Sequence, residues 1–351
     1  MYLKKFHRYL GFILTLIMLS ISLTGTLLLW KKEYLWLTIK DARQAVDTNL
    51  LAEAIDNIEA HYASDELLFV QLHSEDLALH KAFLSNRRYA WHNLKGEQLQ
   101  IWHSNQRWED WLLDLHHRFL LGNTIGLNIA GFGGLLLMPL LIAGIIIWWP
   151  RRRALRLGLL PKSSERGVLI RSHGNIGGIF ALPICLLTLT GVILVYPVEA
   201  RRLLLDPQEK AIISTSTLSD APYRQFEDIV EVGQLPSWSD LIELADTVFL
   251  GSQIRSVRPA SEKYPNRRVN VQQKEGWHRL GRSYIEVNRS GTLTTKDALS
   301  ETKRMRIFNF SYPLHTAKLG LAYKLVLTMV GLAFGFLCVI GLWSFLQSKQ
   351  S

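Results

Sequence analysis

Residues 6–25 read FHRYLGFILTLIMLSISLTG, and residues 171–191 read RSHGNIGGIFALPICLLTLTG. Each opens on a histidine with a glycine four residues later (His7 and Gly11, His173 and Gly177). Each closes on Thr-Gly, whose glycine lies 18 residues after that histidine. Between these marks the residues are almost entirely apolar. The two stretches belong to the runs Tyr9–Trp30 and Gly174–Val198. Two further runs, Gly126–Trp149 and Leu325–Leu346, share their character. None of the four contains Asp, Glu, Lys or Arg, and each has at least 22 residues. At about 1.5 Å per residue, that length crosses a hydrocarbon core roughly 30 Å thick. Four membrane-spanning helices are expected.

Charge sets the expected orientation. The chain of 351 residues carries a formal net charge of +10. Lys4, Lys5 and Arg8 precede the first run. The loop PRRRALRLGLLPKSSERGVLIRSH after the second run holds seven basic residues and one acidic one, and Lys349 lies in the tail. These pieces account for the whole excess. By the rule that short cytoplasmic loops are rich in Lys and Arg, both termini and this loop face the cytoplasm, and the two long polar segments face the periplasm. The charge is thus an orientation signal, and no nucleic-acid partner is needed to explain it. The first run reads as a retained signal anchor, because LLLWKKEYLW offers no small-x-small cleavage site. The only cysteines, Cys185 and Cys338, lie inside runs. There is no CxxCH for covalent haem and no CxxC for zinc or redox chemistry.

The chain reads as an internal duplication. Besides the His/Thr-Gly match, YAWHNLKG (Tyr89–Gly96) and YIEVNRSG (Tyr284–Gly291) share Tyr-x3-Asn-x2-Gly. Leu115-His116 precedes the second run as Leu314-His315 precedes the fourth. The expected order is 1–30, cytoplasmic N-terminus and first span; 31–115, first outer domain; 116–150, second span; 151–172, basic loop; 173–198, third span; 199–314, second outer domain; 315–351, fourth span and tail. Both outer domains read as α+β. In the first, LLAEAIDNIEAHY has helical periodicity and LLFVQLH, RYAWHNL and EQLQIWH read as strands. In the second, WSDLIELADTVF is helical with Ser239 or Asp240 as N-cap, and QIRSVRP, RRVNVQQ, RSYIEVN and GTLTTK are strands. No phosphate-binding loop, nucleophile elbow or HExxH motif occurs. Tyr223, Trp238, Trp277 and the arginines around 255–282 read as a solvated sheet face rather than a binding surface. Trp30, Trp111, Trp148 and Trp149 read as interfacial belt residues.

Of the eleven histidines, His61, His73, His80, His92, His103 and His278 have no mutual spacing and read as surface or capping residues. The other five sit at span ends. His7 and His173 are level on the cytoplasmic side, and His116 or His117 is level with His315 on the outer side. Imidazole at membrane depth is costly unless paired or ligated, and its neutral nitrogen is a good axial ligand for haem iron. Two pairs predict two b-type haems, His7 with His173 and His116 (or His117) with His315. Neighbours on a helix point about 100° apart, so one of His116 and His117 faces the metal. The Leu-His match favours His116, whereas the spacing to Gly122 and Gly320 favours His117.

At FHRYLGFILTLIMLSISLTG, DLHHRFLLG, AGIIIWWPRR, RSHGNIGGIFALPICLLTLTG and PLHTAKLG the chain resembles the PepSY-associated transmembrane family. The resemblance spans residue 6 to about 345. It implies a bacterial inner-membrane protein with extracytoplasmic PepSY-like domains, similar to ferric-siderophore reductases with haem in the helix bundle. By position it implies His7, His173, His116 and His315 as the haem-iron ligands. The expected activity is passage of electrons from a cytoplasmic or quinol donor to a ferric siderophore or other ferric chelate. Alternatives are reduction of a quinone or a periplasmic redox partner, and a haem-free protein whose outer domains bind peptides or inhibit a protease.

Overall fold

The computed structural model describes residues 2–45, 48–74, 76–154, 159–205, 213–218, 226, 234–276 and 281–347. Its elements in chain order are α1 (Tyr2–Leu28), α2 (Lys31–Thr38), α3 (Leu51–Ala60), β1 (Leu67–Gln71), β2 (His80–Leu84), β3 (Arg88–His92), β4 (Gln98–His103), α4 (Trp108–Arg118), α5 (Leu127–Trp148) and α6 (Arg166–Val195). After these come α7 (Pro197–Leu204), β5 (Ile213–Thr217), α8 (Trp238–Val248), β6 (Gln253–Arg258), β7 (Arg267–Gln272), β8 (Ser283–Val287), β9 (Thr292–Lys296), α9 (Lys303–His315) and α10 (Leu321–Gln347). Two compact units result. One holds residues 1–31, 108–203 and 311–351; the other holds 32–107 and 204–310.

The first unit is a helical bundle. Four helical segments, Tyr2–Leu28, Gly122–Arg153, Arg166–Val195 and Leu321–Gln347, are long and apolar enough to cross a membrane. The helix α1 packs on α5 and α10, and α6 packs on the same two. The spans therefore close a ring in the order α1, α5, α6, α10. Lipid offers no hydrophobic force between helices, so contact relies on small residues and hydroxyls. A Cβ on Gly331 of α10 would lie 2.1 Å from Thr26 Oγ1 of α1. There the Ser22 hydroxyl donates to the Gly331 carbonyl at 2.5 Å. Pro139 in α5 and Pro183 in α6 sit inside the helices, which bilayer-embedded bundles tolerate.

The second unit is built on one antiparallel nine-stranded sheet, ordered β4-β3-β2-β1-β6-β7-β8-β9-β5. The sequence suggests two outer domains, 31–115 and 199–314; their strands instead form this single sheet. The cause is the pairing of β1 with β6 (Val70 opposite Val257, Gln71 opposite Ser256), which leaves neither first strand with a free edge. The helices α3 and α8 pack on each other. Leu51, Ile55, Ile58, Trp238, Leu241 and Leu244 form one core with Val70, Ala82, Val257, Val269, Val271, Ile285 and Val287. Beyond β1, the other face of the first half packs Leu35, Ala42, Leu77 and Leu79 against Trp91 and Trp102.

The shared Tyr-x3-Asn-x2-Gly lands on equivalent turns. Asn93 Oδ1 accepts from the backbone N–H of Lys95 and Glu97, each at 3.0 Å. Asn288 Oδ1 accepts from Ser290 at 3.0 Å and Thr292 at 2.8 Å. Gly96 and Gly291 hold φ of +84° and +72°, which glycine adopts freely. The predicted strands and both predicted helices are present. Ser237, not Ser239 or Asp240, caps α8: its Oγ accepts from Asp240 N, and Asp240 completes a capping box. Trp238 is fully buried and donates to Glu59 Oε2 at 2.6 Å, so it is a core residue. Tyr223, Trp277 and His278 lie outside the described residues.

Candidate functional site

His116 and His315 hang from short helices, α4 and α9, that precede two of the membrane-crossing segments. The helix α4 ends at Arg118, followed by left-handed Phe119, Leu120 and Gly122 (φ 50°, 62° and 77°). The helix α9 ends at His315, followed by left-handed Ala317 and Gly320 (φ 53° and 103°). The histidines thus belong to separate helical segments rather than to the spans themselves.

The five span-end histidines sort into two pairs. The His7 and His173 ring centres lie 6.2 Å apart, and those of His116 and His315 lie 6.3 Å apart. His117 lies 5.6 Å from its neighbour His116, ring to ring. The ring contact with His315 is made by His116.

Each paired imidazole rests in the same kind of seat. His7 Nδ1 is 3.1 Å from the Leu140 carbonyl of α5. His173 Nδ1 is 3.2 Å from the Leu337 carbonyl of α10. His315 Nδ1 is 3.2 Å from the Leu187 carbonyl and 3.1 Å from Thr190 Oγ1 of α6. His116 Nδ1 is 3.0 Å from Thr24 Oγ1 of α1, and the His116 imidazole also meets the Ile21 backbone. Four residues after each carbonyl comes a glycine: Gly144, Gly341, Gly191 and Gly25. A Cβ there would meet the imidazole Cε1 at 2.9, 3.4, 3.0 and 2.7 Å respectively. The reason is helical. Side chains tilt toward the N-terminus, so the one at i+4 covers the carbonyl at i. Glycine leaves that oxygen open to a donor approaching from the side.

The seats fix the tautomer. A carbonyl only accepts, so Nδ1 carries the proton and donates. Thr190 Oγ1 spends its own hydrogen on the Leu186 and Leu187 carbonyls, and Thr24 on Ser20 and Ile21; each can therefore accept from Nδ1. Nε2 keeps its lone pair, the arrangement that second-shell bonding imposes on metal-binding imidazoles. The spacing fits a shared metal. An imidazole nitrogen lies about 1.1 Å from its ring centre and bonds metal at about 2.0 Å, so ring centres 6.2 and 6.3 Å apart are near enough for both rings of a pair to hold one ion. These donors, neutral and nitrogen-only, would suit haem iron.

The other histidines, expected to be unrelated, are also brought together in part. His80 opposes His92 across β2 and β3, and both are buried. The rings of His73 and His80 are 5.3 Å apart, and those of His61 and His92 are 6.5 Å apart. His92 Nε2 lies 3.1 Å from Tyr62 Oη, which donates to Gln98 Oε1 at 2.9 Å. Burial, with the His73 and His92 charges behind it, pushes the His80 imidazole down to about 3; burial, then His61, pushes His92 to about 4. Among the described residues no three His, Cys, Asp or Glu side chains gather as a metal site. The strand β2 was invisible to periodicity because both its faces are buried; without it these histidines have no visible relation. On α4, Glu109, Asp110 and Asp114 are buried, with Asp110 3.9 Å from Lys31 and Asp114 2.6 Å from Arg118.

No curated protein matches the chain. The family model described as PepSY-associated TM region matches residues 4–348. That is nearly the whole chain, spanning both imidazole pairs and the sheet. This multi-pass membrane protein therefore belongs to the PepSY-associated transmembrane family.

Proposed function

We propose that this chain is a di-haem b electron-transfer protein of a bacterial inner membrane that reduces a ferric siderophore or other ferric chelate at its periplasmic side. The carrying observation is the pair of imidazole pairs, at 6.2 and 6.3 Å, with Nδ1 of all four rings held by a neighbouring helix. When bound, haem would supply a one-electron redox centre at each pair. His7 and His173 would hold one and His116 and His315 the other, with His117 beside the second.

The chain's own contribution is positional. Bonds at Nδ1 orient each ring and raise the basicity of Nε2. The four glycines let the rings lie against helix backbone. The span helices keep the surroundings apolar, which sets potential and excludes water. The basic residues near His7 and in the loop after α5 favour the cytoplasm for that end and the periplasm for the sheet unit. The matched turns and matched seats support an internal duplication. Iron(III) is a hard ion gripped by oxygen chelators. One electron converts it to iron(II), which the same donors hold far more weakly, so reduction releases it. The electron donor is a quinol or a cytoplasmic reductant.

Pyridine haemochrome analysis of the purified chain, made with ample haem, tests this. Two haems b per chain are expected, falling to one in His173→Ala and one in His315→Ala. A colourless protein would end the proposal and leave a haem-free reading of the sheet unit, as a peptide-binding or protease-inhibiting module. If the reduced protein is reoxidised by a quinone or a periplasmic redox protein but not by ferric chelates, the substrate assignment fails alone.

A further inference from the structure

At the bundle end that carries His7 and His173 lies a cavity of about 370 Å³, lined by Leu3, Lys4, Ile146, Ile147, Pro150 and Arg151. Its size is within the range of ligand pockets. It is formed by the first turn of α1 and the last turn of α5, together with the 3₁₀ turn Trp149–Ala154. Leu3 lies one helical turn before His7, and Ile147 one turn after Gly144, the seat of the His7 ring. The cavity therefore lies at the same ends of α1 and α5 as the His7 ring and its glycine.

Its lining has a definite chemistry. Lys4 and Arg151, on two different elements, are exposed, and among the described residues neither joins an ion pair. The other side chains are aliphatic or proline. Among the described residues no carboxylate, hydroxyl or amide side chain lines the cavity. A neutral quinol would bring no charge to meet the two cations Lys4 and Arg151. A free anion would gain nothing from Leu3, Ile146 and Ile147. A zwitterionic headgroup would bring its own cation against Lys4 and Arg151. What fits is an anion carried on an aliphatic chain.

We infer that this cavity binds an anionic glycerophospholipid of the adjoining leaflet, its phosphate between Lys4 and Arg151 and its acyl chain along Leu3, Ile146 and Ile147. Basic pockets at the cytoplasmic ends of membrane helices select such headgroups. This inference does not depend on haem being bound.

Native mass spectrometry of the full chain in detergent, titrated with phosphatidylglycerol or with phosphatidylcholine, tests it. Each cation near a headgroup is worth about fivefold in affinity, so Lys4→Gln with Arg151→Gln is expected to weaken the first phosphatidylglycerol roughly 25-fold. The charge-matched control Lys162→Gln with Arg166→Gln removes as much charge without touching the cavity and is expected to stay within about twofold of the parent. The inference is overturned if the two lipids bind alike. It is equally overturned if both double variants weaken phosphatidylglycerol to the same degree, which marks general surface attraction. Competition by inorganic phosphate alone would assign the cations to a free anion and overturn it too.

Discussion

Acidification should open the sheet unit at β2 and β3. His80 and His92 face each other across these strands and are 1% and 0% exposed. In an unfolded chain both take a proton near the ordinary value of 6.5. In the folded unit burial holds them near 3 and 4. The folded state thus prefers the neutral rings. Their contribution is complete above pH 6.5 and is lost as pH falls toward 4 and 3. At pH 5, about 1.5 pH units below that ordinary value, each ring is protonated in the unfolded chain and still mostly neutral in the folded one. At about 1.4 kcal/mol per unit, that is about 2 kcal/mol each and about 4 kcal/mol together. A domain has in total only about 5–15 kcal/mol. The His73 imidazole, also lowered by burial and by the Arg255 charge, acts in the same direction.

Hydrogen exchange with mass spectrometry on the full chain in detergent reads this out. Once corrected for intrinsic exchange chemistry, protection of β2 and β3 amides should fall by roughly three decades between pH 7.5 and 5, since about 1.4 kcal/mol is a factor of ten. Amides of α6 and α10 should not follow. His80→Asn with His92→Gln keeps the local hydrogen-bonding groups without titrating, so the pH slope should flatten whatever its starting level. Protection that stays flat in the parent, or an equal acid loss in the double variant, would refute the reasoning.

The glycine seats predict a graded series. Alanine at Gly25, Gly144 and Gly191 places Cβ 2.7, 2.9 and 3.0 Å from imidazole, whereas at Gly341 the distance is 3.4 Å; haem retention by haemochrome count should fall in the first three and persist in Gly341→Ala. In the sheet unit, Gly96→Ala combines φ of +84° with a Cβ 2.4 Å from the Ala54 carbonyl, while Gly291→Ala has φ of +72° but open space. The second should cost about 1–2 kcal/mol in urea unfolding and the first clearly more. Trp238→Ala removes the fully buried ring and its bond to Glu59, and should cost about 3–5 kcal/mol by the same measurement.

The spans were legible because a membrane helix must lack charge over its whole length, a signal that no tertiary contact can disguise. The paired histidines were legible for a related reason: polar rings at the ends of such helices require a partner. Which of His116 and His117 takes part was not legible. The Gly122 spacing pointed to His117, yet His116 makes the pair. His116 is six residues from Gly122 and His315 five from Gly320. The extra residue is taken up by a second left-handed position, Leu120 beside Phe119, where the other half has Ala317 alone. Backbone turns of that kind in non-glycine residues leave no mark in composition. The joining of both long polar segments into one sheet was equally hidden, since Val70 and Val257 meet through contacts far apart in the chain.

The four seats are alike in carbonyl and glycine but differ in one group, and the difference follows the bundle's ends. In α1 and α6 the glycine follows a threonine, and Thr24 and Thr190 add a second acceptor for His116 and His315. In α5 and α10 it follows Ala143 and Ile340, and the bonds shown for His7 and His173 go to a backbone carbonyl alone. Hydrogen bonding at Nδ1 makes Nε2 a stronger donor. With haem bound as proposed, the His116–His315 pair should therefore hold oxidised iron more firmly per ring than the His7–His173 pair would in the same surroundings. Thr190→Val keeps the Leu187 carbonyl and nearly the same volume. It should leave two haems bound, while shifting the redox titration and low-temperature spectrum of one of them. A variant in which both haems shift together, or neither does, would show that the threonine serves helix packing and has no hold on the metal site.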